Sequence, residues 1–222
     1  MKIWTLVLTT SSLVISTCAN SALLGRDLDG NLFTAEAYYD DEANLTWLAD
    51  ASYAMTSGYD SDGRMNWDQA NTWALNLTVG AVDGWRLADS LQPDPNCTIN
   101  EYGDSAGYNC TGSEMGNMFY NVLGGSAGVS ITTTHNLNFD LFSNIKLGDN
   151  YWLATEYTPG SNGAWRFSST GAQAISEKVT LYNAWAIHSG DVGAAVVPVP
   201  AAAWLFSCGL LGIAGLARRK KA

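Results

Sequence analysis

Basic residues are scarce in this chain. Its 222 residues include 11 Lys and Arg against 21 Asp and Glu. Five of the basic residues lie at position 2 and at positions 218–221, whereas every acidic residue lies between Asp27 and Asp191. The central part therefore carries six basic and 21 acidic residues, a net charge of −15. Such a surface repels nucleic acid, anionic lipid and sulfated glycan, and suits neutral sugar, cations or simple solubility.

Cysteine and histidine are also few, with four and two residues. Cys18 and Cys208 fall in apolar terminal segments. Cys97 and Cys110 remain, and in an oxidising compartment they are expected to form a disulfide. Neither belongs to a Cys/His cluster, which argues against a metal site of that type.

The N-terminal residues have the pattern of an export signal. A Lys at position 2 is followed by a mostly apolar stretch over residues 3–15 and by mostly small residues over 16–22. This pattern is typical of a secretory signal, and it is too short to span a bilayer stably. We predict a signal peptide over residues 1–22, cleaved near its end, with a buried helix as the alternative. A lipid on Cys18 is disfavoured by the bulky residue before it.

The C-terminal residues form a three-part pattern: a proline-containing motif, an uncharged apolar run of 17 residues at 201–217, and a basic cluster. Seventeen residues is the lower limit for a membrane-spanning helix, and the basic cluster is expected to stay in the cytoplasm. We therefore predict a transmembrane helix over 201–217, with the central domain outside the inner membrane. The motif and cluster residues are Val197, Pro198, Val199 and Pro200, and Arg218, Arg219, Lys220 and Lys221.

This tail, over residues 195–222, resembles the PEP-CTERM sorting signal, in a variant with Val in place of the family's Glu. The resemblance implies that the secretion machinery and an exosortase are partners. It also implies cleavage near the motif and release toward the cell surface or the extracellular polysaccharide. A plain tail anchor is the alternative.

The exported part, residues 23–194, alternates short aromatic or β-branched runs with Gly, Asn, Asp and Ser turns, which indicates a strand-rich fold with few helices. Residues 66–77 have apolar side chains at helical spacing, and Asn66 and Gln69 can form a capping box. These features predict an amphipathic helix.

A second helix is predicted over residues 111–123. Thr111 and Glu114 have the spacing of a capping box, and Gly124 is a typical stop. Both helices are expected to cover one mixed or antiparallel sheet, giving a single α+β domain. Residues 124–146 are predicted to form a long surface excursion. The predicted strands are 45–48, 85–87, 151–154, 163–168 and 184–187, whose tryptophans would bury large apolar area.

Five short motifs, at 44–51, 63–67, 84–87, 151–157 and 184–187, resemble the Lcl C-terminal domain family, which is similar to a C-type-lectin-like fold. The resemblance covers about residues 30 to 192. Because the family's prototype is a surface adhesin domain that binds polysaccharide, the resemblance implies glycan or matrix contact. The family's closing Arg-Pro is replaced here by His188 and Ser189, which removes a fixed cation and weighs against an anionic ligand.

Two patterns suggest chemistry that the rest of the sequence does not support. Gly124 to Gly128 matches the nucleophile elbow of serine hydrolases at Ser126, but a helix precedes it and a loop follows, so hydrolysis is the weaker alternative. Asp60, Asp62 and Asp68 could hold Ca²⁺. Because the EF-hand pattern fails at two positions, a turn before the helix is the competing interpretation.

The remaining candidate ligand site lies near the late strands, at Glu156, Tyr157, Trp165 and Arg166. An exposed aromatic ring beside a carboxylate is what a neutral sugar would stack on and hydrogen-bond to. We expect a non-enzymatic protein of the envelope or extracellular matrix that binds glycan or another surface component and requires no cofactor. A structural matrix protein without a specific ligand is the alternative.

Overall fold

The computed structural model describes residues 23–146 and 148–195. The predicted signal peptide and, apart from Ala195, the predicted sorting tail with its predicted transmembrane helix lie outside these residues. Within them, no helix is long and apolar enough to cross a bilayer. The architecture is mixed α+β, mostly sheet with few helices, as the sequence predicts.

The strands, numbered in chain order, form two main sheets and a hairpin. The first sheet has six strands, and its pairings are all antiparallel. In spatial order they are Ala194–Ala195 (β13), Leu23–Asp27 (β1), Ala37–Asp40 (β2), Leu45–Leu48 (β3), Ala186–Ser189 (β12) and Arg86–Leu87 (β5).

The second sheet has five strands and is mixed, because β11 pairs with β8 in parallel. In spatial order they are Gln173–Glu177 (β10), Gly163–Ser168 (β9), Asn150–Glu156 (β8), Tyr182–Asn183 (β11) and Arg64–Met65 (β4). The prediction of a single sheet is therefore wrong. The predicted strands are divided between two sheets, a division set by long-range pairing that periodicity along the chain does not encode.

The helices are short, and they are Tyr53–Thr56 (α1), Trp67–Leu75 (α2) and Glu114–Asn117 (α3), with a 3₁₀ helix at Leu137–Leu141. The first predicted helix is confirmed as α2. The Asn66 side chain accepts from the Gln69 backbone N–H at 2.9 Å, and the Gln69 side chain accepts from the Asn66 N–H at 3.2 Å. The predicted capping box is therefore present.

The second predicted helix is shorter than expected and starts differently. Its cap is Ser113, which makes no side-chain cap hydrogen bond, and α3 continues as a π-helix over Met118–Val122. The Thr111 hydroxyl instead accepts from the Asn96 side chain at 2.9 Å. The predicted capping box is wrong because both of its side chains are bonded elsewhere, Glu114 to Arg86.

Tryptophans build the core and connect its layers. Trp47 and Trp185 meet edge to face, with ring centroids 5.1 Å apart. The indole N–H of Trp185 donates to the Leu48 carbonyl at 2.8 Å, and that of Trp152 to the Met65 carbonyl at 2.9 Å. Trp152 and Trp185 thus bury a large apolar area while their one polar group is satisfied.

The predicted surface excursion over residues 124–146 is wrong in part. Ile131 is buried, and its N–H donates to the Ser169 carbonyl at 3.0 Å. Phe142 is also buried, and Ser143 forms an isolated bridge with Asp50. The rest of the segment is exposed or half-buried, as predicted, and these residues anchor it to the domain.

The first and last strands of the described chain are neighbours. β1 pairs antiparallel with β13, with Arg26 opposite Ala195. Arg26 is buried and forms an ion pair with Asp191 at 2.5 Å. The start of β1 and the end of β13 therefore lie at the same edge of the domain.

Candidate functional site

The candidate ligand residues lie at the end of β8 and on β9, and the structure gives them different roles. Glu156 accepts a hydrogen bond from Lys178 and another from the Gly160 N–H at 3.1 Å. The hydrogen bond from Lys178 is the main reason that the pKa of Glu156 is lowered. Lys178 also lies 4.4 Å from the centroid of the Trp67 ring. Glu156 therefore stabilises the loop between β8 and β9.

Arg166 is held by neighbouring side chains. Its Nη1 donates to the Asn150 side chain at 2.5 Å, and its Nε donates to the Ser176 hydroxyl at 3.1 Å. The guanidinium also lies over the Tyr182 ring, 5.8 Å from its centroid. These contacts connect β8, β9, β10 and β11, so they stabilise the second sheet.

Trp165 is 1% exposed. The expectation of an exposed ring here is wrong, because alternation along β9 directs this side chain into the core. Its edge contacts Tyr157, with ring centroids 6.2 Å apart. Trp165 thus supports a neighbouring ring and is not accessible for stacking on a ligand.

Tyr157 is the exposed aromatic residue of the group, at 41%. Asp104 raises the pKa of the Tyr157 phenol, first through a side-chain hydrogen bond and then through its negative charge. An aromatic ring beside a carboxylate is the predicted arrangement, but Asp104 takes the place expected for Glu156. We call Tyr157 and Asp104 the rim pair.

No pattern in the sequence pointed to Asp104. It starts the second strand of the hairpin formed by Ile99–Glu101 (β6) and Asp104–Ala106 (β7). Tyr102 and Gly103, between the strands, both have positive φ, 55° and 90°, as a type I′ turn requires. The glycine is a local signal for the turn, but no local signal places Asp104 beside Tyr157.

The hairpin is fastened at both strands. Cys97 precedes β6 and Cys110 follows β7, and the two form a disulfide that confirms the predicted pair. Ser105, on β7, is fully buried, and its carbonyl accepts from the side chains of Gln92 and Gln173, both at 3.0 Å. Asp104 is therefore presented by a cross-linked and hydrogen-bonded segment.

The aspartates considered for Ca²⁺ lie at the turn before β4 and at the start of α2. One Asp60 carboxylate oxygen accepts from the N–H groups of Asp62 and Gly63, at 3.1 and 2.9 Å. Asp62 accepts from the Arg64 N–H at 2.9 Å, and Asp68 is exposed in the first turn of α2. These bonds stabilise the turn.

Two other groups of possible metal ligands have atoms within 4.8 Å of one another in the described chain. The first is Asp27, Asp29 and Glu36; Asp27 accepts from the Asp29 and Gly30 N–H groups, and Glu36 from the Leu28 N–H. The second consists of Asp94 and the disulfide cysteines, whose sulfurs are already bonded to each other. In the first group, these carboxylates stabilise a turn of the chain.

Ser126 lies exposed in the loop that follows the π-helix. Its carbonyl accepts from the Val129 N–H at 3.1 Å. His135 contacts the Asn136 carbonyl at 3.1 Å and packs on Phe139, whereas His188 packs on Trp85. The strand, turn and helix of a nucleophile elbow are not found at this serine in the described structure.

Comparisons of the chain with family models, with curated proteins and with solved structures found no match. The predicted processing residues, at 197–200 and 218–221, lie outside the described residues. The rim pair is therefore the candidate site that the geometry itself supports.

Proposed function

We propose that this chain is an exported protein of the cell envelope or extracellular matrix whose domain binds a neutral glycan at the rim pair. The observation that carries the proposal is the exposed Tyr157 ring with the Asp104 carboxylate beside its hydroxyl. The ring can stack on the apolar face of a sugar while the carboxylate accepts from sugar hydroxyls. The disulfide reduces the freedom of the hairpin that carries Asp104, which lowers the entropy cost of binding.

Charge favours a neutral ligand. Residues 23–195 carry a net charge of −15, and four of their six basic residues are in ion pairs: Arg26, Arg64, Arg86 and Lys178. Arg166 is hydrogen-bonded to Asn150 and Ser176. An acidic polysaccharide would therefore meet a surface whose field repels it.

Export is supported by the signal-like pattern at the N-terminus and the sorting-signal pattern at the C-terminus. A C-type-lectin-like domain is supported by the resemblance to the Lcl C-terminal domain family. The motifs that carry this resemblance fall on β3, β4, β5, β8 and β12 within a mixed α+β domain. An exosortase would cut near residues 197–200 and release the domain toward the surface polysaccharide.

The binding proposal is tested by replacing Tyr157 with Ala in the full chain, purified in detergent micelles, and titrating neutral gluco-, manno- and galacto-oligosaccharides by calorimetry. Because an aromatic contact is worth about 0.5–1.5 kcal/mol, affinity should fall about two- to tenfold. Asp104→Asn should also weaken binding, because the sugar hydroxyls lose a charged acceptor.

The matched control is Leu137→Ala, which also truncates an exposed side chain, 84% accessible, but on the 3₁₀ helix. Its affinity should equal that of the unmodified chain. Equal affinity for Tyr157→Ala would remove the rim pair from the proposal. If no oligosaccharide binds at all, the structural matrix role remains and the glycan-binding function is refuted.

A further inference from the structure

A groove separate from the rim pair lies where α1 and α2 end. It encloses about 510 Å³, within the range of small-molecule sites. The end of α1 contributes one wall and the last turn of α2, with the residues that follow it, contributes the other. The lining residues are Ser57, Gly58, Tyr59, Thr72, Trp73, Asn76, Leu77 and Thr78.

The chemistry of this groove is neutral although the domain is strongly acidic. Its polar side chains are three hydroxyls, one amide and the phenol of Tyr59, and no charged residue is among the lining side chains in the described structure. Tyr59 is 58% exposed, whereas Trp73 is buried and faces the groove from the core. An accessible ring among hydroxyl and amide groups fits a sugar, which presents both an apolar face and hydroxyls.

Local hydrogen bonds fix both walls. At the end of α1 the Ser57 N–H donates to the Tyr53 carbonyl at 2.9 Å, and Gly58 takes a positive φ of 77° that turns the chain. On the other wall the Asn76 side-chain N–H donates to the Thr72 carbonyl at 2.8 Å. No donor to the Asn76 amide oxygen is found among residues 23–146 and 148–195, so this atom can accept from a ligand.

The helix end selects against anions. The C-terminal turn of α2, with Thr72 and Asn76, forms part of the groove, and this turn contains no basic residue. The last carbonyls of an α-helix lack partners within the helix and carry its partial negative charge. This partial negative charge disfavours carboxylate, sulfate or phosphate groups in the groove.

We propose that this groove is a second subsite for a neutral sugar. Lys178, which binds Glu156 next to Tyr157, packs on Trp67 at the start of α2, whereas the groove lies at its other end. Trp67 and the groove therefore lie at opposite ends of α2, whose nine residues rise about 13 Å. The inference rests on the proposed glycan-binding function for the class of ligand, but its residues are independent of the rim pair.

The test uses Tyr59→Ala in the full chain in detergent micelles, titrated with neutral gluco-, manno- and galacto-heptasaccharides and with an alginate heptasaccharide as the acidic probe. We expect the affinity for a neutral probe to fall about fivefold or more. Tyr59→Trp, which keeps an aromatic ring, should retain binding. Affinity for the neutral probe should change less than about twofold between 0.01 and 1 M salt, because no ion pair is formed.

The matched control is Leu75→Ala, on the same helix, exposed at 68% and outside the groove lining, which should leave the affinity unchanged. Unaltered affinity of Tyr59→Ala, or a preference for alginate, would overturn the inference. If Tyr157→Ala weakens binding while Tyr59→Ala does not, the groove is excluded and the rim pair stands. The reverse result retains the groove and excludes the rim pair, and no binding by any chain excludes both.

Discussion

Two glycines with positive φ illustrate two different constraints on single residues: the backbone conformation and the space available for a side chain. Gly80 has φ +60°, and a Cβ added there would lie 1.5 Å from the Leu28 carbonyl oxygen. Gly30 has φ +93°, but a Cβ added there meets nothing within 4 Å. Both positions impose backbone strain on any other residue, and only Gly80 adds a collision with backbone.

Replacing Gly80 with Ala should therefore destabilise the domain more than replacing Gly30. We expect about 1 kcal/mol for Gly30→Ala, from strain alone, and about 3 kcal/mol or more for Gly80→Ala. Chemical denaturation of both variants measures the difference in the free energy of unfolding. Equal losses would mean that the close approach of Gly80 to Leu28 is absent in solution.

The exposure and the partners of each side chain also explain why only part of the predicted ligand site remains a candidate. Trp165 and Tyr157 are close, yet one is buried and the other 41% exposed. Glu156 and Asp104 are both near Tyr157, but only Glu156 is engaged by Lys178. Residue type identified candidate sugar-binding side chains, whereas accessibility and existing partners decide which of them a ligand can reach.

Among the elements, β5 and α3 are joined by a charge network. Both terminal nitrogens of Arg86, on β5, donate hydrogen bonds to the carboxylate of Glu114, on α3, each at 2.7 Å. Glu114 also accepts from the Asp89 N–H at 2.6 Å. The pKa of Asp89 is raised, first by burial and then by the negative charge of Glu114.

The variants Glu114→Gln and Asp89→Asn should move stability in opposite directions at neutral pH. Glu114→Gln breaks the two-pronged pair with the half-buried Arg86 and should cost about 2–3 kcal/mol. Asp89→Asn removes an exposed charge that Glu114 disfavours and Arg86, 3.4 Å away, partly offsets, so it should be neutral or slightly stabilising. Thermal unfolding at pH 7 compares the two.

The pH dependence gives a second readout for Asp89. Because its pKa is higher in the folded than in the unfolded state, the folded state binds more protons, and stability falls as pH rises from the unfolded pKa through the folded one. The advantage of Asp89→Asn over the unmodified chain should therefore disappear below about pH 4, the usual aspartate range. A constant advantage down to pH 3 would contradict the assignment.

At the scale of the whole molecule, the two ends of the domain meet. β1 and β13 are neighbours in the first sheet, and Arg26 and Asp191 reinforce this junction. The predicted signal peptide precedes β1, and the predicted sorting tail follows β13. The chain therefore enters β1 and leaves β13 at the same edge of the domain.

Processing should be visible at both ends of the mature protein. We expect mass spectrometry of the secreted fraction to find an N-terminus near residues 20–23 and a C-terminus near residues 197–200. The membrane fraction should retain the tail, which serves as the matched reference. Intact precursor in the cytosol, with Cys97 and Cys110 as free thiols, would contradict the export proposal.

Sequence alone determined the features that depend on near neighbours or on composition. The α2 cap follows from Asn66 and Gln69, three residues apart, and the disulfide follows from the two cysteines outside the terminal segments. The coarse α+β class and several strand positions follow from turn residues and alternation. These signals depend on nearby residues or on composition, so they can be recognised without knowledge of the rest of the fold.

Only the tertiary structure decided the features set by partners far along the chain. Glu114 pairs with Arg86, 28 residues away in the sequence, and does not form the predicted capping box. The pairing of β12 with β3 and β5 places it in a different sheet from β8. Asp104 reaches Tyr157 because the hairpin lies at the rim of the second sheet. Side chains compete for partners in three dimensions, and a one-dimensional pattern does not record which partner wins.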